Sequence, residues 1–240
     1  MKLSIVTPTY NEAKNLPKLV SALLALPIND IHVIVVDDNS PDGTGQVADR
    51  LAGMHPDSIS VIHRTGKLGL GSAYITGFKQ ALDAGANAIA QMDADLSHPP
   101  DLLVDLLESL DDFDVAMGSR YIEGGGVDMN WPWWRKSLSA FGNHYARYVL
   151  GMPVQDVTGG FKVWKRETLA GMPLNRIRSN GYAFQIEMAY VAYLLKYSFV
   201  EVAFYFPNRD WGKSKMSFRI QLEAAYRVWK MRYDYRDLRD

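Results

Sequence analysis

Short apolar runs alternate with segments of helical spacing through the first half of the chain. The runs are rich in β-branched residues and cover residues 3–7, 31–36, 59–63, 88–92 and 115–118. Near-continuous runs of this kind are typical of strands that are buried on both faces. Helical spacing of apolar residues extends over residues 16–25, 44–51, 71–82 and 100–110. The alternation predicts an α/β fold, in which βαβ units build a Rossmann-like, mostly parallel central sheet flanked by helices.

The second half has a mixed pattern. A glycine-rich stretch at residues 124–126 precedes an aromatic segment, residues 131–150, with helical spacing. The later pattern predicts strands over residues 158–164 and 199–206, and helices over residues 185–196 and 218–233. Because neither an internal repeat nor a low-complexity linker separates the halves, we expect a single domain over residues 1–240.

Composition excludes several classes of protein. The 240 residues are 48% hydrophobic and contain no cysteine, so neither a disulfide framework nor a thiolate metal site is expected. The longest uncharged apolar stretches, residues 19–29 and 188–195, are shorter than the roughly 20 residues that cross a bilayer. The sequence therefore predicts neither a signal peptide nor a transmembrane helix.

The formal net charge of −1 conceals an uneven distribution. Residues 1–115 carry 7 Lys or Arg against 16 Asp or Glu, whereas residues 116–240 carry 19 against 11. Such asymmetry can indicate that the two halves meet different partners. Nucleic acid is not expected, because acidic clusters share the predicted ligand edge with the cations.

Polar side chains follow three of the predicted strands, at the point where each strand ends. They are Pro8, Tyr10 and Glu12 after the first strand, Asp37 and Asp38 after the second, and Asp93 and Asp95 after the fourth. Ligands of open parallel sheets bind beyond the carboxyl ends of the strands, so we expect one convergent site.

Asp93 and Asp95 form the sharpest motif, an Asp-Ala-Asp directly after a buried strand. Two carboxylates at this spacing can reach one hard cation, and Mg²⁺ or Mn²⁺ prefers oxygen ligands and often shares substrate phosphates. Ser97 adds a hydroxyl ligand or serves as a turn residue. The alternative is that both carboxylates cap the helix predicted to begin near Pro99. His98 is interpreted as a loop residue.

Two loops complete the acidic half. Asp38 can accept hydrogen bonds from a base or ribose, while the turn formers at residues 39–43 provide the scaffold. Gly69 and Gly71 suggest a dinucleotide fingerprint, but Tyr74 occupies its third glycine position and the loop follows the third strand, so no nicotinamide site is expected. Lys67 is expected either to lie near a phosphate of the ligand or to be a solvated charge in the loop.

The basic half supplies candidate phosphate ligands. Arg120 follows the fifth strand, Arg135 and Ser139 share one helix face, and Arg209 and Lys215 lie in a cationic loop. Arg and Lys both bind phosphate, and the alternative is a solvated basic surface. The basic amphipathic segment over residues 218–233 either lies on anionic lipid or packs on the domain.

Seven segments in this order resemble the family-2 glycosyltransferases, in particular those that mannosylate dolichyl or polyprenyl phosphate. The segments are TPTYNE, VVDDNSPDGT, MDADLSHPP, GSRYIEGG, TGGFKVWKR, GYAFQIEM and RDWGKSK. The resemblance covers roughly residues 3–215. It implies an A-type glycosyltransferase fold, a nucleotide-sugar donor, a divalent cation and inversion at the anomeric carbon.

The resemblance also implies roles for individual residues. The residues that it places around guanosine are Pro8, Tyr10, Glu12, Val36 and Asp38. Those that it places at the metal and diphosphate are Asp93, Ala94 and Asp95, with Ser97 as a further metal ligand. The donor or acceptor phosphates are assigned to Arg120, Arg209 and Lys215, and the acceptor phosphate also to Arg135 and Ser139. Asp93, Asp95, Arg120, Arg209 and Lys215 are thereby the expected catalytic set. Gln185 and Glu187 lie in a shared motif with no assigned role.

The expected activity is inverting, metal-dependent transfer of mannose from GDP-mannose to a polyprenyl (dolichyl-type) phosphate. Residues 1–119 are then the nucleotide-sugar half, residues 120–215 the acceptor half, and residues 216–240 an amphipathic C-terminal helix. We expect a cytoplasmic protein at the cytoplasmic face of a membrane, bound peripherally or through a membrane-anchoring subunit. The alternatives are a related transferase using UDP-glucose or UDP-N-acetylglucosamine, and a non-catalytic nucleotide-sugar-binding subunit.

Overall fold

The computed structural model describes residues 1–207 and 218–239. Within these ranges the strands are β1 (Leu3–Thr9), β2 (Ile31–Asp37), β3 (Ile59–His63), β4 (Ala88–Gln91), β5 (Val115–Ser119), β6 (Gly126–Val127), β7 (Lys162–Lys165), β8 (Phe199–Ala203) and β9 (Tyr205–Phe206). The helices are α1 (Leu16–Leu24), α2 (Thr44–Met54), α3 (Leu70–Asp83), α4 (Leu102–Glu108), α5 (Trp133–Leu150), α6 (Arg166–Gly171), α7 (Gly181–Leu194) and α8 (Phe218–Asp234).

Seven strands form the central sheet in the order β3-β2-β1-β4-β7-β5-β8. Every neighbouring pair is parallel except those that involve β7, which runs antiparallel to β4 and β5. The predicted mostly parallel sheet is therefore confirmed. Because β7 is reversed, its first residues lie at the same edge as the carboxyl ends of β4 and β5.

Helices cover both faces of the sheet and enclose two hydrophobic cores. Ile5 and Val6 are both fully buried, and as neighbours in β1 they point to opposite faces. One core contains the apolar sides of α1, α2 and α4, and the other contains those of α3, α5, α7 and α8. Burial on both faces explains why the inner strands β1, β2, β4 and β5 appear in the sequence as continuous apolar runs.

The element boundaries differ from the sequence prediction mainly in the second half. The strand predicted over residues 158–164 begins only at Lys162, because a turn containing Gly159 and Gly160 precedes it. The strand predicted over residues 199–206 is interrupted at Phe204, and its last part, β9, pairs with β6 outside the main sheet. The helix predicted from residue 185 begins at Gly181, whose φ of 57° is the left-handed conformation that glycine adopts readily.

Within residues 1–207 and 218–239, no helix combines the length and apolar character that crossing a membrane requires.

Candidate functional site

One edge of the sheet collects the residues that the sequence placed at strand ends. Pro8 lies opposite Val36 in the β1–β2 register, and Asp38 follows β2 immediately. Asp93 lies two residues after β4 ends, and Arg120 directly follows β5. Since β1, β2, β4 and β5 all point the same way, the predicted convergence of these loops at one edge is confirmed.

Asp38 is buried at this edge and forms an ion pair. Arg64 Nη1 lies 2.8 Å from Asp38 Oδ1, and the Gly69 N–H donates to Asp38 Oδ2 at 3.3 Å. Burial raises the pKa of the Asp38 carboxyl above its ordinary value, while the Arg64 charge opposes that rise. Arg64 lies 26 residues away in the loop after β3, and no motif in the sequence indicates that it pairs with Asp38.

The neighbouring carboxylates stabilise the loops themselves. Asp37 accepts hydrogen bonds from the hydroxyls of Thr9 (3.0 Å) and Ser40 (2.6 Å), so it ties the end of β1 to the turn after β2. Asp42 accepts from the Thr44 hydroxyl at 2.5 Å and from the Ala13 N–H at 3.2 Å. These contacts support the scaffold interpretation of the turn at residues 39–43.

Tyr10 and Glu12 lie in the loop that follows β1, at the same edge of the sheet. The Lys67 ammonium nitrogen lies 4.1 Å from the centroid of the Tyr10 ring, a cation–π contact. Glu12 accepts a hydrogen bond from the Asn15 side chain at 2.8 Å. Lys67 therefore contacts a candidate nucleoside-binding residue. The sequence had predicted only that Lys67 lies near a phosphate or is exposed to solvent.

Asp93 and Asp95 lie in a tight loop between β4 and α4. The Tyr74 hydroxyl donates to Asp93 Oδ1 at 2.7 Å, and the Ser97 N–H and hydroxyl both donate to Asp95 Oδ1. Burial and the Asp93 charge raise the pKa of Tyr74 well above its ordinary value, so its hydroxyl remains a donor. The capping alternative is wrong, because α4 begins at Leu102 and its N-cap residue is Asp101.

His98 lies in the loop between β4 and α4, as predicted, and its side chain is buried there. Its Nδ1 accepts the Asp93 N–H at 3.1 Å, and its ring stacks on Phe161 with centroids 4.9 Å apart. Phe204 and Phe206 meet the ring edge-on. Burial lowers the pKa of His98, in accord with an unprotonated Nδ1 that accepts a hydrogen bond.

Arg120 is buried in a bidentate ion pair with Asp156. The Nε–Oδ2 and Nη2–Oδ1 distances are both 2.7 Å, and Arg120 Nη2 also donates to the Thr158 hydroxyl at 2.9 Å. Burial opposes ionisation of Asp156, yet the Arg120 guanidinium keeps the pKa of that carboxyl below its ordinary value. Arg120 could be predicted from its position after a strand, whereas its partner lies 36 residues further along the chain and has no such signal.

A buried polar network lies beside the ion pair, beneath the start of β7. Lys162 is fully buried, and its ammonium donates to the Gly159 carbonyl and, at 3.4 Å, to Gln185 Oε1. Gln185 also accepts from Gln91 Nε2. Burial lowers the pKa of Lys162 to about 7. The sequence indicated no role for Gln185. In the structure it is part of the network that holds Gly159 and Gly160 in place.

Glu187 lies away from this network. It is buried, and it accepts hydrogen bonds from the N–H groups of Arg178 (3.2 Å) and Ser179 (2.7 Å) and from the Tyr235 hydroxyl (2.8 Å). Glu187 thus joins the loop before α7 to the chain just after α8, which is a structural role.

The candidate acceptor residues lie on the first half of α5. The Arg135 guanidinium carbon lies 3.6 Å from the centroid of the Trp131 ring, and Ser139 Oγ lies 2.8 Å from the Tyr121 hydroxyl. Phe206 meets Trp131 edge-on and also lies under Arg120, with its ring centroid 5.5 Å from the Arg120 guanidinium carbon. Aromatic contacts therefore connect the start of α5 to the end of β5. Arg209 and Lys215 lie outside the described residues.

The site offers hard oxygen ligands for a divalent ion, although it does not form a complete cage. In residues 1–207 and 218–239, no three His, Cys, Asp or Glu side chains cluster as metal ligands do. Mg²⁺ in phosphate-transfer sites is typically held by one or two carboxylates together with substrate phosphates and water. Asp93 and Asp95, with the Ser97 hydroxyl nearby, fit an ion that is shared with a phosphorylated substrate.

The fold is that of the A-type glycosyltransferases, because the structure superposes on the glucosyl-3-phosphoglycerate synthase of Mycobacterium tuberculosis with a TM-score of 0.61 over 96% of this chain and 78% of that one, at 18% identity. Residues 4–171 match the sequence profile of glycosyl transferase family 2. The chain belongs to this family, and the expectation drawn from the seven motifs is confirmed.

Two relatives and a second solved structure illustrate the similarity. The polyprenol monophosphomannose synthase of Mycolicibacterium smegmatis is 45% identical over 232 residues, 95% of this chain and 86% of that protein. The undecaprenyl-phosphate mannosyltransferase of Micrococcus luteus is 43% identical over 229 residues, 95% of this chain and 93% of that protein. The mannosyltransferase PcManGT of Pyrobaculum calidifontis was solved with GDP-Man and Mn²⁺. It superposes on this chain with a TM-score of 0.59, over 92% of this chain and 60% of that one. Because the two sequences are only 18% identical, this similarity shows the fold alone.

Proposed function

We propose that the protein transfers mannose from GDP-mannose to a polyprenyl phosphate with inversion at the anomeric carbon. The observation that carries the proposal is the identity of 43–45% across 95% of the chain with two proteins whose names join mannose to a polyprenol phosphate. The acidic edge site and the cations around it supply the chemistry that such a reaction requires.

The donor nucleoside is proposed to bind over the ends of β1 and β2. Residues proposed to surround guanosine are Pro8, Tyr10, Glu12, Val36 and Asp38. Asp38 supports this placement because it is a buried strand-end carboxylate, the type of group that accepts hydrogen bonds from a nucleoside in α/β folds. Its pairing with Arg64 fixes its orientation.

The diphosphate is proposed to meet Asp93, Ala94 and Asp95 through Mg²⁺ or Mn²⁺, with Ser97 as a further oxygen ligand. When bound, the ion supplies positive charge that stabilises the negative charge developing on the leaving diphosphate. Both carboxylates are engaged by hydrogen bonds, since the Tyr74 hydroxyl donates to Asp93 Oδ1 and the Ser97 hydroxyl donates to Asp95 Oδ1. A solved relative in fold, PcManGT, carries GDP-Man and Mn²⁺ together.

Cations complete the proposed phosphate sites. Arg120, Arg209 and Lys215 are assigned to donor or acceptor phosphates, and Arg135 and Ser139 to the acceptor phosphate. A phosphate monoester has its second pKa near ~6, so the acceptor is already an ionised nucleophile at neutral pH. The reaction therefore needs no side chain to remove a proton from the nucleophile.

A donor panel tests the assignment of the base and sugar. Thermal unfolding is measured with Mg²⁺ and GDP-mannose, UDP-glucose or UDP-N-acetylglucosamine at equal concentrations. A ligand that binds only the folded state stabilises it by about 2.7 kcal/mol when its concentration is 100 times its Kd. We therefore expect GDP-mannose, and neither of the two UDP-sugars, to raise Tm clearly. A larger rise with either UDP-sugar would assign the site to the alternative transferase.

The lipid acceptor is proposed to be reached through α5 and α8, which pack side by side. The Tyr145 hydroxyl donates to the Ala225 carbonyl at 3.3 Å, and Arg232 donates to the Val149 carbonyl at 2.7 Å. Three exposed aromatic residues recur every seven residues on α5, where Trp133 at the start of the helix is exposed as well, and three recur at intervals of three and four on α8, so the members of each recurring set lie on one helix face. They are Trp134, Phe141 and Tyr148 on α5, and Tyr226, Trp229 and Tyr233 on α8. Aromatic and basic residues together suit a peripheral membrane surface.

Flotation with anionic vesicles of phosphatidylglycerol and phosphatidylcholine tests this surface. We expect the protein to float, and the double variant Trp134→Ser/Trp229→Ser to bind about tenfold more weakly, since binding scales with the apolar area that enters the interface. Met54→Ser, an exposed apolar residue on α2 against the other face of the sheet, is the control and should float normally. Wild-type protein that stays with the soluble fraction would instead favour recruitment by a membrane-anchoring subunit.

A further inference from the structure

The glycines around the start of α3 permit unusually close packing of that helix. A β carbon on Gly71 would lie 2.3 Å from the Ser179 carbonyl oxygen, and one on Gly77 would lie 2.2 Å from Val6 Cγ1. Any larger residue at either position would therefore push α3 away from β1 or from the loop before α7. Gly71, one of the two glycines that suggested a dinucleotide fingerprint, brings α3 against the loop before α7, and Gly77 brings it against β1.

This packing places Tyr74 beneath the Asp-Ala-Asp loop with little freedom to move. Its side chain is fully buried and its ring stacks on Phe184, with centroids 5.6 Å apart and an interplanar angle of 2°. Phe78 packs against the same ring at 5.7 Å. A buried tyrosine hydroxyl needs a hydrogen-bond partner, and here the partner is Asp93 Oδ1 at 2.7 Å.

Asp93 is restrained at two points, one oxygen of its carboxylate and its backbone N–H. Tyr74 engages Oδ1, and the backbone N–H of Asp93 donates to His98 Nδ1. The second carboxylate oxygen, Oδ2, lies toward Gly160, where a β carbon would come within 3.6 Å of it. With its backbone and one oxygen fixed, the carboxylate presents its second oxygen in a set direction.

We infer that Tyr74 is a positioning residue for the divalent ion: its hydroxyl occupies one oxygen of Asp93 and thereby presents the other to the metal. The inference rests on the metal role of Asp93 in the proposed function. Outer groups that hydrogen-bond a metal ligand orient it, and their loss typically weakens metal binding or activity by about 10–100-fold.

Tyr74→Phe tests the inference because it removes only the hydroxyl. The free Mn²⁺ signal in electron paramagnetic resonance, recorded during titration with protein and saturating GDP, measures Mn²⁺ affinity without catalysis. We expect affinity to fall about tenfold in the variant, the KM for Mn²⁺ in transfer assays to rise similarly, and the Kd for GDP in EDTA to stay within about twofold. Near-UV circular dichroism counts the folded fraction, and each affinity is expressed per folded molecule.

Tyr190→Phe is the matched control. Tyr190 is also fully buried, and its hydroxyl accepts hydrogen bonds from Arg239, away from the site. Unchanged Mn²⁺ affinity in Tyr74→Phe, or equal losses in both variants, would overturn the inference, as would weaker GDP binding in EDTA, because that result indicates a structural role. If the wild-type protein itself does not bind Mn²⁺ with GDP, the metal role in the proposed function fails instead.

Discussion

Replacing Asp95 by Asn is expected to lower turnover about a thousandfold while the protein remains folded. The variant keeps the shape of the side chain and removes the negative charge that the divalent ion needs. Loss of one group that stabilises developing charge in a preorganised site typically costs about 10²–10³ in kcat, and loss of a metal ligand belongs at the upper end. The measurement is the initial rate of lipid-linked mannose formation, together with the thermal unfolding curve.

Asp101→Asn is the matched control for the Asp95 variant. Asp101 lies six residues further along and is exposed at the start of α4, where its side chain makes no capping hydrogen bond. It should retain normal turnover. Asp95→Asn protein that keeps at least a tenth of the wild-type rate would exclude a metal-ligand role for Asp95.

Replacing Asp156 by Asn is expected to destabilise the fold by about 3–5 kcal/mol, because the buried Arg120 guanidinium then has no compensating charge. Both members of the pair are withdrawn from water, and Asp156 is fully buried. Breaking one partner of such a pair costs far more than the pair itself contributes to stability. Urea unfolding measured at pH 7 gives the difference between the wild-type and variant proteins.

The Arg176–Asp237 pair provides the control, because it is also bidentate, through Nη1 and Nη2, but lies on an exposed surface. Asp237→Asn should change the free energy of unfolding very little, since water screens exposed pairs. A loss in Asp156→Asn no larger than that in Asp237→Asn would contradict the buried-pair account.

The Asp156 contribution also has a defined pH dependence. Its pKa is lowered in the folded state, so the stabilisation is present above the unfolded pKa of roughly 3.9 and is lost as the pH falls through the folded value. The difference between the wild-type protein and Asp156→Asn should therefore be full at pH 7 and shrink below about pH 4. A difference that grows as the pH falls would contradict this assignment.

The parts of the fold that sequence predicted are those with a local signal. The five runs in the first half became β1 to β5, and four of these strands, β1, β2, β4 and β5, are buried on both faces, which demands continuous apolar residues. Asp38, Asp93 and Arg120 could be placed at one edge because each follows such a strand. Phe204 shows the limit: it interrupts an apparently continuous strand, since β9 leaves the main sheet to pair with β6.

The partners of the site residues could not be predicted, because they come from segments distant in the sequence. Arg64 pairs with Asp38, Asp156 with Arg120, and the Tyr74 hydroxyl with Asp93. None of these contacts has a periodic or sequential signature, and each depends on how two loops and α3 fold against the edge of the sheet. The sequence therefore indicated which residues reach the edge, while the fold determined which of them are paired there.

The most direct test of the central claim is transfer of labelled mannose itself. The protein is incubated with GDP-[¹⁴C]mannose, polyprenyl phosphate and Mg²⁺, and radioactivity is counted in the organic phase, with EDTA and unphosphorylated polyprenol as parallel arms. The account predicts labelled lipid in the complete mixture and none in either parallel arm. Absence of label from the complete mixture, or equal label with polyprenol, would contradict it.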